Sequence, residues 1–530
     1  MQVTRNMPIG VQDFPSMIEG NYVYVDKTHF IPCLEVLGRA HFLSRPRRFG
    51  KSLFLSMLQA YFEGKKELFK GLFIEKYKAE RGEEWKSYPV LKLDLNGKQY
   101  TKEEHLITIL NSHINAWKTE YEIECNETDP DSAFAYLIQA ISKKQAKRVI
   151  ILIDEYDKPL LEAIGNDELQ EQYRGILKGF YSVIKSMNGC IHLSFLTGVT
   201  KFSKVSIFSG LNNLDDISFD SDYSSVCGIT EEELHKNFAF EIEMLAKEQD
   251  RSYDEMTDIL RKKYDGYRFS RKKERIYNPF SLCSVFKKKE LKDYWFATAT
   301  PSFLVYVLEQ TFFKIEDLEG KITVSLQETD DYRVNYKNLA PLIFQSGYLT
   351  VKDYDEDFAC YRLGFPNDEV RYAFLNRLMN IYNGASYGLS SKFAIAEFVN
   401  SMKQGDIQRV LSLTKALLAS IPYDSFPEGD EFLREHNYQT AIYLIFHLMG
   451  QYVRSEVHSS LGRSDVEVET QDAIYIFEFK VGGRSEDALE QIKKQGYEKK
   501  HEVSCKSVFL IGAVINQDER TLGEWVIEKV

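Results

Sequence analysis

The sequence has few cysteines, and none is spaced as a metal ligand or as part of a disulfide framework. Seven cysteines occur among 530 residues, and no two of them form a Cys-x-x-Cys pair. They stand at positions 33, 125, 190, 227, 283, 360 and 505. This scatter excludes a zinc ribbon and a disulfide-stapled secreted domain, and it favours a reducing, cytoplasmic setting.

Long apolar runs and an excess of positive charge are also missing. No run reaches the roughly 18 residues that a membrane span needs, and no signal-peptide pattern starts the chain, so we expect no membrane partner. The formal net charge is -12, which argues against a protein that coats polyanions indiscriminately. Any contact with nucleic acid would therefore require a local basic groove.

What the sequence does contain is a phosphate-binding pattern near its start. An apolar strand candidate at 40–43 leads into Arg-Pro-Arg-Arg-Phe-Gly-Lys-Ser at 45–52, and an amphipathic helix follows. The N-terminus of such a helix offers unpaired N–H groups and a positive dipole end to a phosphate. Lys51 would reach the outer phosphates, and the hydroxyl of Ser52 would ligate Mg²⁺. The residues predicted to contact the nucleotide here are Arg47, Arg48, Phe49, Gly50, Lys51 and Ser52.

The loop departs from the general pattern at its first position, where this chain has Arg45 instead of glycine. Gly-Lys-Ser alone also fits a basic cap at the start of any helix. The segments further along the chain decide between these interpretations.

A second chemical segment is the apolar run at 149–153, which follows Arg148 and leads into Asp154 and Glu155. An unbroken apolar run predicts a strand buried on both faces of a parallel sheet. Open α/β sheets bind ligands at the carboxyl ends of their strands. We therefore expect Asp154 to hold Mg²⁺ through water and Glu155 to polarise the attacking water. The simpler interpretation is a polar turn after a buried strand, and the upstream Gly-Lys-Ser makes it less favoured.

Another buried strand is predicted at 190–198, and it ends near Thr197. In ATPases of this architecture, the strand beside the acidic strand carries a polar residue that senses the γ-phosphate. Thr197 stands at that position, although a threonine that caps the next turn fits equally well.

Three segments together resemble the bacterial AAA-ATPase-like family. They are the loop at 45–52, Ile-Asp-Glu-Tyr-Asp-Lys-Pro at 153–159, and the stretch from Leu196 to Leu214 that begins Leu-Thr-Gly-Val-Thr-Lys. In that family the arginine-rich loop without its first glycine is itself the pattern. The resemblance implies ATP and Mg²⁺ as ligands and a C-terminal nuclease-like domain of the PD-(D/E)XK superfamily. It leaves open whether ATP is hydrolysed or only bound.

The predicted fold class is α/β. Residues 1–215 should form a P-loop NTPase domain of AAA/ASCE type, a parallel sheet with helices on both faces. Residues 216–370 should be mostly helical, with a winged-helix-like form as one option. A helical connector is expected at 371–420, and an α/β restriction-endonuclease-like domain at 421–530.

The middle of the chain also carries a basic run between 261 and 275. Its cations could contact phosphates, but a solvated helix face is the commoner explanation for such a run. Its members are Arg261, Lys262, Lys263, Arg268, Arg271, Lys272, Lys273 and Arg275.

The strand predicted at 473–480 contains the second candidate site. Residues two apart on a strand share a face, so Glu478 and Lys480 should lie with Ile474 and Ile476. Burying such charges unpaired is costly, and a metal site would account for them. Asp465, twelve residues, then Glu478-x-Lys480 is the PD-(D/E)XK signature.

In that signature the two carboxylates would hold Mg²⁺ or Mn²⁺, and Lys480 would stabilise charge at the scissile phosphate. The alternative is a surface strand with an exposed ion pair.

The resemblance adds further residues to this site. Relatives imply a third acidic group on the preceding helix, at Glu435, with Glu456 as a substitute. Gln491 matches a glutamine that relatives place next to the lysine. Lys493, Lys494, Lys499 and Lys500 could then track a nucleic-acid backbone.

Two function classes follow from these observations. The first is a cytoplasmic, Mg²⁺-dependent ATPase joined to a metal-dependent DNA endonuclease, with RNA left open as the substrate. The second is a nucleotide-switched module that binds nucleic acid or protein without cleavage. An arginine finger could come from Arg47 or Arg48 within the chain, or from a neighbouring subunit of a homo-oligomer.

Overall fold

A computed structural model describes most of the chain. The described ranges are 5–37, 40–97, 99–201, 214–295, 315–325, 328, 339–382, 391–419, 431–450, 454–460, 463–501, 505–516, 519 and 521–530. At 37, 315–316, 380–382, 391–394, 431–439, 454–460, 463–465 and 500 the description covers the backbone alone. The chain forms two compact units: an N-terminal unit of residues 1–312 and 318–370, and a C-terminal unit of residues 313–317 and 371–530.

The N-terminal unit is built on a five-stranded parallel sheet. Its strands are β1 (Ala40–Ser44), β2 (Val90–Asp94), β3 (Val149–Asp154), β4 (Ile191–Gly198) and β5 (Asp215–Asp216). They lie in the order β2-β3-β4-β1-β5. All six residues of β3 are buried, which confirms the expectation of a doubly covered strand. One strand, β4, separates β1 from the acidic β3.

Within the described residues, eight α-helices precede or connect these strands. They are α1 (Phe14–Glu19), α2 (Phe30–Leu37), α3 (Lys51–Phe62), α4 (Phe73–Arg81), α5 (Glu103–Glu120), α6 (Pro130–Gln145), α7 (Lys158–Glu162) and α8 (Asp167–Ser186). The apolar stripe predicted for α3 is buried from Phe54 to Phe62, because residues three and four apart share one face of a helix. The stripe fixes α3 against the sheet and so fixes the position of its first turn.

The rest of the N-terminal unit combines helices with short strands. They are β6 (Ile229–Thr230), α9 (Glu231–Glu248), α10 (Tyr253–Tyr264), β7 (Ile276–Tyr277), α11 (Pro279–Lys288), β8 (Ile322–Ser325), α12 (Ala340–Gln345), β9 (Thr350–Asp355) and β10 (Cys360–Gly364). Capping boxes at Thr230 and Ser252 start α9 and α10, as their side-chain patterns require. The last three strands form an antiparallel sheet, β8-β10-β9. A winged-helix-like form for this segment stays a prediction.

The basic run between 261 and 275 is largely engaged within the unit. Four of its cations lie within 4 Å of a carboxylate: Arg261 with Glu231, Lys262 with Asp368, Lys263 with Asp293, and Lys272 with Asp222. Arg268 donates to the backbone carbonyls of Lys352, Arg271 and Lys272. These contacts favour the structural interpretation of the run over a phosphate-binding groove.

The C-terminal unit packs helices around a mixed sheet. Its elements are α13 (Asp368–Tyr382), α14 (Ser391–Lys403), α15 (Ile407–Ala419), α16 (Glu431–Met449), β11 (Arg454–Ser460), β12 (Arg463–Glu469), β13 (Ala473–Val481), α17 (Ser485–Gln495), β14 (Ser507–Asn516) and β15 (Thr521–Lys529). The strands run in the order β11-β12-β13-β14-β15, and only β13 and β14 are parallel. Helix α16 begins at Glu431, four residues earlier than the apolar pattern suggests. The domain boundaries proposed from sequence stay predictions.

The two faces of β13 meet two different helices. Phe477 and Phe479 contact Phe446 of α16, whereas Ile474 and Ile476 pack with Leu489 and Ile492 of α17. The predicted division of the strand is therefore confirmed, and Glu478 and Lys480 fall on the α17 side. Among the described helices, none has both the length and the apolar character that a membrane crossing needs.

A candidate nucleotide site and a candidate metal site

The loop between β1 and α3 turns sharply to bring the first turn of α3 to the edge of the sheet. Arg48 has φ 67° and Gly50 has φ 96°, both in the left-handed region. Gly50 caps α3 without a side chain, and glycine adopts this conformation at no steric cost. The unpaired N–H groups of α3 are left for another acceptor.

A cavity of about 340 Å³ opens at this loop. Five predicted residues of the loop and acidic strand line it: Arg48, Gly50, Lys51, Ser52 and Glu155. Arg47 lines it as well, together with the N-terminal segment from Pro8 to Gln12 and the side chain of Phe280. Six residues predicted from sequence thus line one cavity, and their contact with a nucleotide stays a prediction. Gln12, Asn96, Lys158 and Phe280 line it as well, although no motif pointed to them.

The ammonium group of Lys51 is held by the loop itself. Lys51 is 5% exposed, and its Nζ donates to the carbonyl oxygens of Arg45 (2.9 Å) and Pro46 (3.1 Å). The ammonium group is thereby fixed beside the N-terminus of α3. An anion bound there would meet both this positive charge and the positive end of the helix dipole.

The acids at the end of β3 lie in two different environments. Asp154 is almost fully buried, and the Thr197 hydroxyl donates to its Oδ1 at 2.6 Å. Glu155 lines the cavity and has a backbone φ of 52°, a conformation that costs a non-glycine residue energy and concentrates at functional sites. Burial raises the pKa of Glu155, and nearby Lys51 opposes that rise. The role of Thr197 as a γ-phosphate sensor stays a prediction.

Asp157 is a buried acid that sequence reasoning did not interpret. Its carboxylate accepts hydrogen bonds from the N–H groups of Val199 and Thr200 and from the Thr200 hydroxyl. Burial is the main cause that raises its pKa. Asp157 therefore ties the end of β3 to the end of β4. Its position in the Ile-Asp-Glu-Tyr-Asp motif is the sequence feature from which its importance could have been predicted.

Arg45 explains why glycine is absent from the first loop position. Its fully buried guanidinium donates to the carbonyls of Ser44, Ser218 and Tyr223 and lies 4.3 Å from the ring centroid of Phe269. Burial lowers its pKa to about 10. The side chain thus fastens the loop to residues that follow the parallel sheet.

Phe49 points away from the main cavity. Its ring meets Tyr267 and Phe269 edge-on, at 4.7 and 5.3 Å between centroids, and its carbonyl accepts the N–H of Gly228. It also lines a smaller, mostly apolar cavity of about 90 Å³ with Phe54. Its predicted contact with nucleotide stays a prediction.

In the C-terminal unit, the predicted residues Glu478 and Gln491 are brought together. Glu478 is completely buried, and its Oε1 accepts a hydrogen bond from Gln491 Nε2 at 2.5 Å. The other carboxylate oxygen, Oε2, has no hydrogen-bond partner among the described residues. Leaving such an atom unsatisfied is expensive, so a divalent cation fits this position.

Lys480 and Asp465 lie beside this pair along the sheet. Lys480 Nζ donates to the carbonyl of Asp487 on α17 at 3.0 Å. The strand register pairs Asp465 of β12 directly with Glu478 of β13. The side chains of Asp465, Glu435 and Glu456 lie outside the described part of the chain. Of the predicted basic patch, Lys493 pairs with Glu528 at 2.7 Å.

Comparisons with known proteins match both halves of this arrangement. The family model described as "Predicted AAA-ATPase" matches residues 8–208. The model described as "PD-(D/E)XK nuclease superfamily" matches residues 433–525. A protein of Azotobacter chroococcum mcd 1, named "Uncharacterized protein in vnfD 5'region", is 34% identical over 531 residues, covering 99% of each chain.

Proposed function

Because this chain belongs to the bacterial AAA-ATPase-like family and carries a C-terminal domain of the PD-(D/E)XK nuclease superfamily, we propose that it couples ATP to metal-dependent cleavage of DNA. ATP is bound and hydrolysed in the N-terminal unit. Its binding or turnover gates the access of DNA to the C-terminal site. The observation that carries the ATP assignment is the single cavity lined by Lys51, Ser52 and Glu155.

The triphosphate lies along the loop in this proposal, with the ammonium group of Lys51 at its outer phosphates. Phosphate oxygens replace the two loop carbonyls that hold Lys51 Nζ in the structure. Ser52 and Asp154 hold Mg²⁺, which neutralises charge on the phosphates. The base lies against the segment from Pro8 to Gln12 and the ring of Phe280, all of which line the cavity.

Glu155 orients and activates the attacking water. Its raised pKa moves the carboxylate toward the range in which a general base is effective. Thr197 holds Asp154 through its hydroxyl and senses the γ-phosphate. Arg47 and Arg48, which also line the cavity, balance the charge that develops on the phosphates.

The ATP assignment is tested with three variants and a fluorescent ATP analogue. Lys51→Ala should weaken binding at least about 10-fold, because a charge-assisted contact is lost. Glu155→Gln should bind normally but release phosphate about 100-fold more slowly or worse. Lys70→Ala, which changes an exposed lysine, is the control. Equal affinity of Lys51→Ala and wild type would refute the site.

The C-terminal site holds Mg²⁺ or Mn²⁺ between Asp465 and Glu478 in this proposal, with Glu435 as a third acidic group. Support comes from the buried Oε2 of Glu478, which has no hydrogen-bond partner among the described residues, and from the direct backbone pairing of Asp465 with Glu478. Gln491 fixes the orientation of the Glu478 carboxylate. The bound ion would activate water for attack on the phosphodiester. Lys480 stabilises the charge that develops there.

The nuclease assignment is tested on supercoiled DNA with Mg²⁺ or Mn²⁺. Glu478→Gln and Lys480→Ala should each reduce nicking by about 100-fold or more, since each removes a transition-state contact. Lys403→Ala changes an exposed lysine of the same unit and should cut like wild type. Nicking that persists unchanged in Lys480→Ala would show contaminating nuclease or a different site.

A second candidate is a nucleotide-switched binding module without cleavage. The bond from Lys480 Nζ to the Asp487 carbonyl favours it, because that amine is engaged within the unit. This module would retain DNA in a low-salt binding assay and give no products with either metal. It would also bind ATP with negligible phosphate release.

In this proposal the protein works in the cytoplasm, either as a single chain or as a homo-oligomer. The seven cysteines are free, in keeping with a reducing cytoplasm. A homo-oligomer would let a neighbouring subunit supply an arginine finger if Arg47 and Arg48 serve only in binding. Light scattering with and without ATP distinguishes the two arrangements.

A further inference from the structure

A buried tryptophan outside the nucleotide cavity holds the phosphate loop by its backbone. The indole Nε1 of Trp295 donates to the carbonyl of Arg47 at 2.9 Å, across 248 positions of sequence. Trp295 is completely buried and does not line the cavity, whereas Arg47 and Arg48 do. An indole N–H is a donor only, so this contact requires the loop carbonyl to face the tryptophan.

Glu369 fixes the tryptophan in turn. Its Oε1 accepts the backbone N–H groups of Tyr294 and Trp295, and its Oε2 accepts the Ser281 hydroxyl. Glu369 is 1% exposed, and burying a carboxylate is costly unless hydrogen bonds satisfy it. Through these three hydrogen bonds, Glu369 holds the backbone segment that carries the indole.

The space around the indole leaves little freedom. Its ring meets Tyr348 edge-on at 5.1 Å between centroids. A β-carbon added at Gly347 would come within 2.5 Å of Pro46 and 3.3 Å of Trp295. Gly347 is therefore packed closely against both Pro46 of the loop and Trp295.

The direction of the Arg47 carbonyl decides the direction of the next amide. A trans peptide unit is planar, so its C=O and N–H point in opposite directions. With the Arg47 carbonyl held by Trp295, the N–H of Arg48 in the same trans peptide unit points away from the tryptophan. The Phe49 carbonyl is held in the same manner by the N–H of Gly228, which orients the amide of Gly50.

We propose that Trp295, fixed by Glu369, is a positioning residue that presents the amide of Arg48 to the phosphates of the nucleotide. The inference deepens the proposed function and rests on it, since it presumes a nucleotide in this cavity. A donor placed before the ligand arrives avoids the cost of ordering the loop on binding.

The test compares Trp295→Phe with Trp525→Phe. Phenylalanine keeps an aromatic ring but removes the indole N–H. Trp525 also donates its N–H to one acceptor, Gln408, but in the C-terminal unit. Trp295→Phe should weaken binding of a fluorescent ATP analogue by about 3- to 10-fold, the worth of one hydrogen bond. It should raise KM with little change in kcat, because ground and transition states both use the amide. Trp525→Phe should match wild type.

Two variants of Glu369 keep the test decisive if Trp295→Phe folds poorly. Glu369→Gln retains an oxygen acceptor for both backbone N–H groups, and the Ser281 hydroxyl can rotate to accept from the amide. Glu369→Gln should therefore bind the ATP analogue with wild-type affinity, whereas Glu369→Ala should bind it as weakly as Trp295→Phe does. Melting curves of each variant report folding separately.

The outcomes distinguish the inference from the function beneath it. Wild type that fails to bind ATP overturns both. Wild type that binds ATP, with Trp295→Phe and Glu369→Ala binding equally well, overturns the positioning role alone. An equal loss of ATP affinity in Trp525→Phe would also overturn the positioning role. The loss would then follow from removing an indole N–H anywhere in the chain.

Discussion

At the scale of single residues, Arg45 shows how a charged side chain can be buried against backbone carbonyls and an aromatic ring. Its guanidinium bonds three backbone carbonyls and lies over the face of Phe269. Arginine suits this place because its planar fork offers several fixed donors and its charge is weakly hydrated. A lysine at this position would present one compact charge and could not reach the same three carbonyl oxygens.

We expect Arg45→Ala to destabilise the protein by several kcal/mol, because removing the donors leaves buried carbonyls unsatisfied at about 1–3 kcal/mol each. Arg45→Gly, which restores the general loop pattern, should be no better. Calorimetry measures the shift in melting temperature. Arg251→Ala, at an exposed arginine, should change it little. A melting temperature of Arg45→Ala equal to wild type would contradict the anchoring role.

Glu369 gives a prediction on pH. Burial raises its pKa from 4.5 to about 7. Between those values the folded chain binds the proton more tightly than the unfolded chain, so this group lowers the free energy of unfolding as pH rises through the window. The loss would be of order 2–3 kcal/mol near neutral pH and would level off above it.

Glu369→Gln does not titrate. Its melting temperature relative to wild type should therefore rise between pH 5 and about pH 7.5, as measured by calorimetry across that range. Glu232→Gln, at an exposed glutamate, is the matched control. A difference between Glu369→Gln and wild type that stays flat with pH would mean that the carboxylate is already charged at pH 5.

At the scale of elements, the phosphate loop is held from behind by segments that follow the parallel sheet. Gly228 donates its N–H to Phe49, and Trp295 donates to Arg47. Gly228 has φ 90°, and a β-carbon there would lie 2.2 Å from Ile276 and 3.3 Å from Phe49. Conformation and close approach both require glycine at this position.

We expect Gly228→Ala to weaken nucleotide binding and to destabilise the protein by more than the roughly 1–2 kcal/mol of a left-handed alanine alone. Gly71→Ala is the matched control, because Gly71 has φ 81° but nothing within 4 Å of an added β-carbon. Melting temperature and affinity for the ATP analogue measure the two effects. If both variants behaved alike, the close packing against Phe49 would be unimportant.

The strand β13 shows a second principle at this scale. Its alternation sends aromatic rings to α16 and isoleucines to α17. Glu478 shares the isoleucine side, where Gln491 satisfies only one of its oxygens. A strand that buries a carboxylate in an otherwise apolar face needs a compensating partner, and the metal ion proposed for this site would be one.

At the scale of the whole molecule, the two candidate sites lie in separate compact units. Helix α13 begins with Asp368 and Glu369 in the N-terminal unit, and its residues from Arg371 belong to the C-terminal unit. The residue that fixes Trp295 therefore stands in the first turn of the helix that continues into the second unit.

Separate sites should be separable by mutation. Glu478→Gln should abolish nicking and leave ATP hydrolysis within about 3-fold of wild type, since sites without shared partners act independently. Lys51→Ala should remove the effect of ATP on nicking while keeping metal-dependent nicking without ATP. Plasmid nicking and phosphate release, measured on the same preparations, test both. Loss of ATP hydrolysis in Glu478→Gln would instead indicate one interdependent machine.

Much of the fold and of both sites could be predicted from local patterns. The buried run of β3, the stripe of α3 and the alternation of β13 each repeat at the period of their element. Lys51, Ser52, Glu155 and Glu478 could be predicted because each belongs to a motif within one short stretch of sequence, and their roles stay predictions. Asp157 was missed although it stood in the same motif, since its partners lie on the next strand.

Local patterns of residues define the helices and strands and the residue types at their ends, because hydrogen bonding and side-chain periodicity within a helix or strand are local. The reason why Arg45 stands in place of glycine, and the contacts of Trp295 and Glu369, become visible only in three dimensions. Their contacts join segments 173 or more residues from the loop. Contacts of that range leave no period in the sequence, so only the folded chain, with its close packing, reveals them.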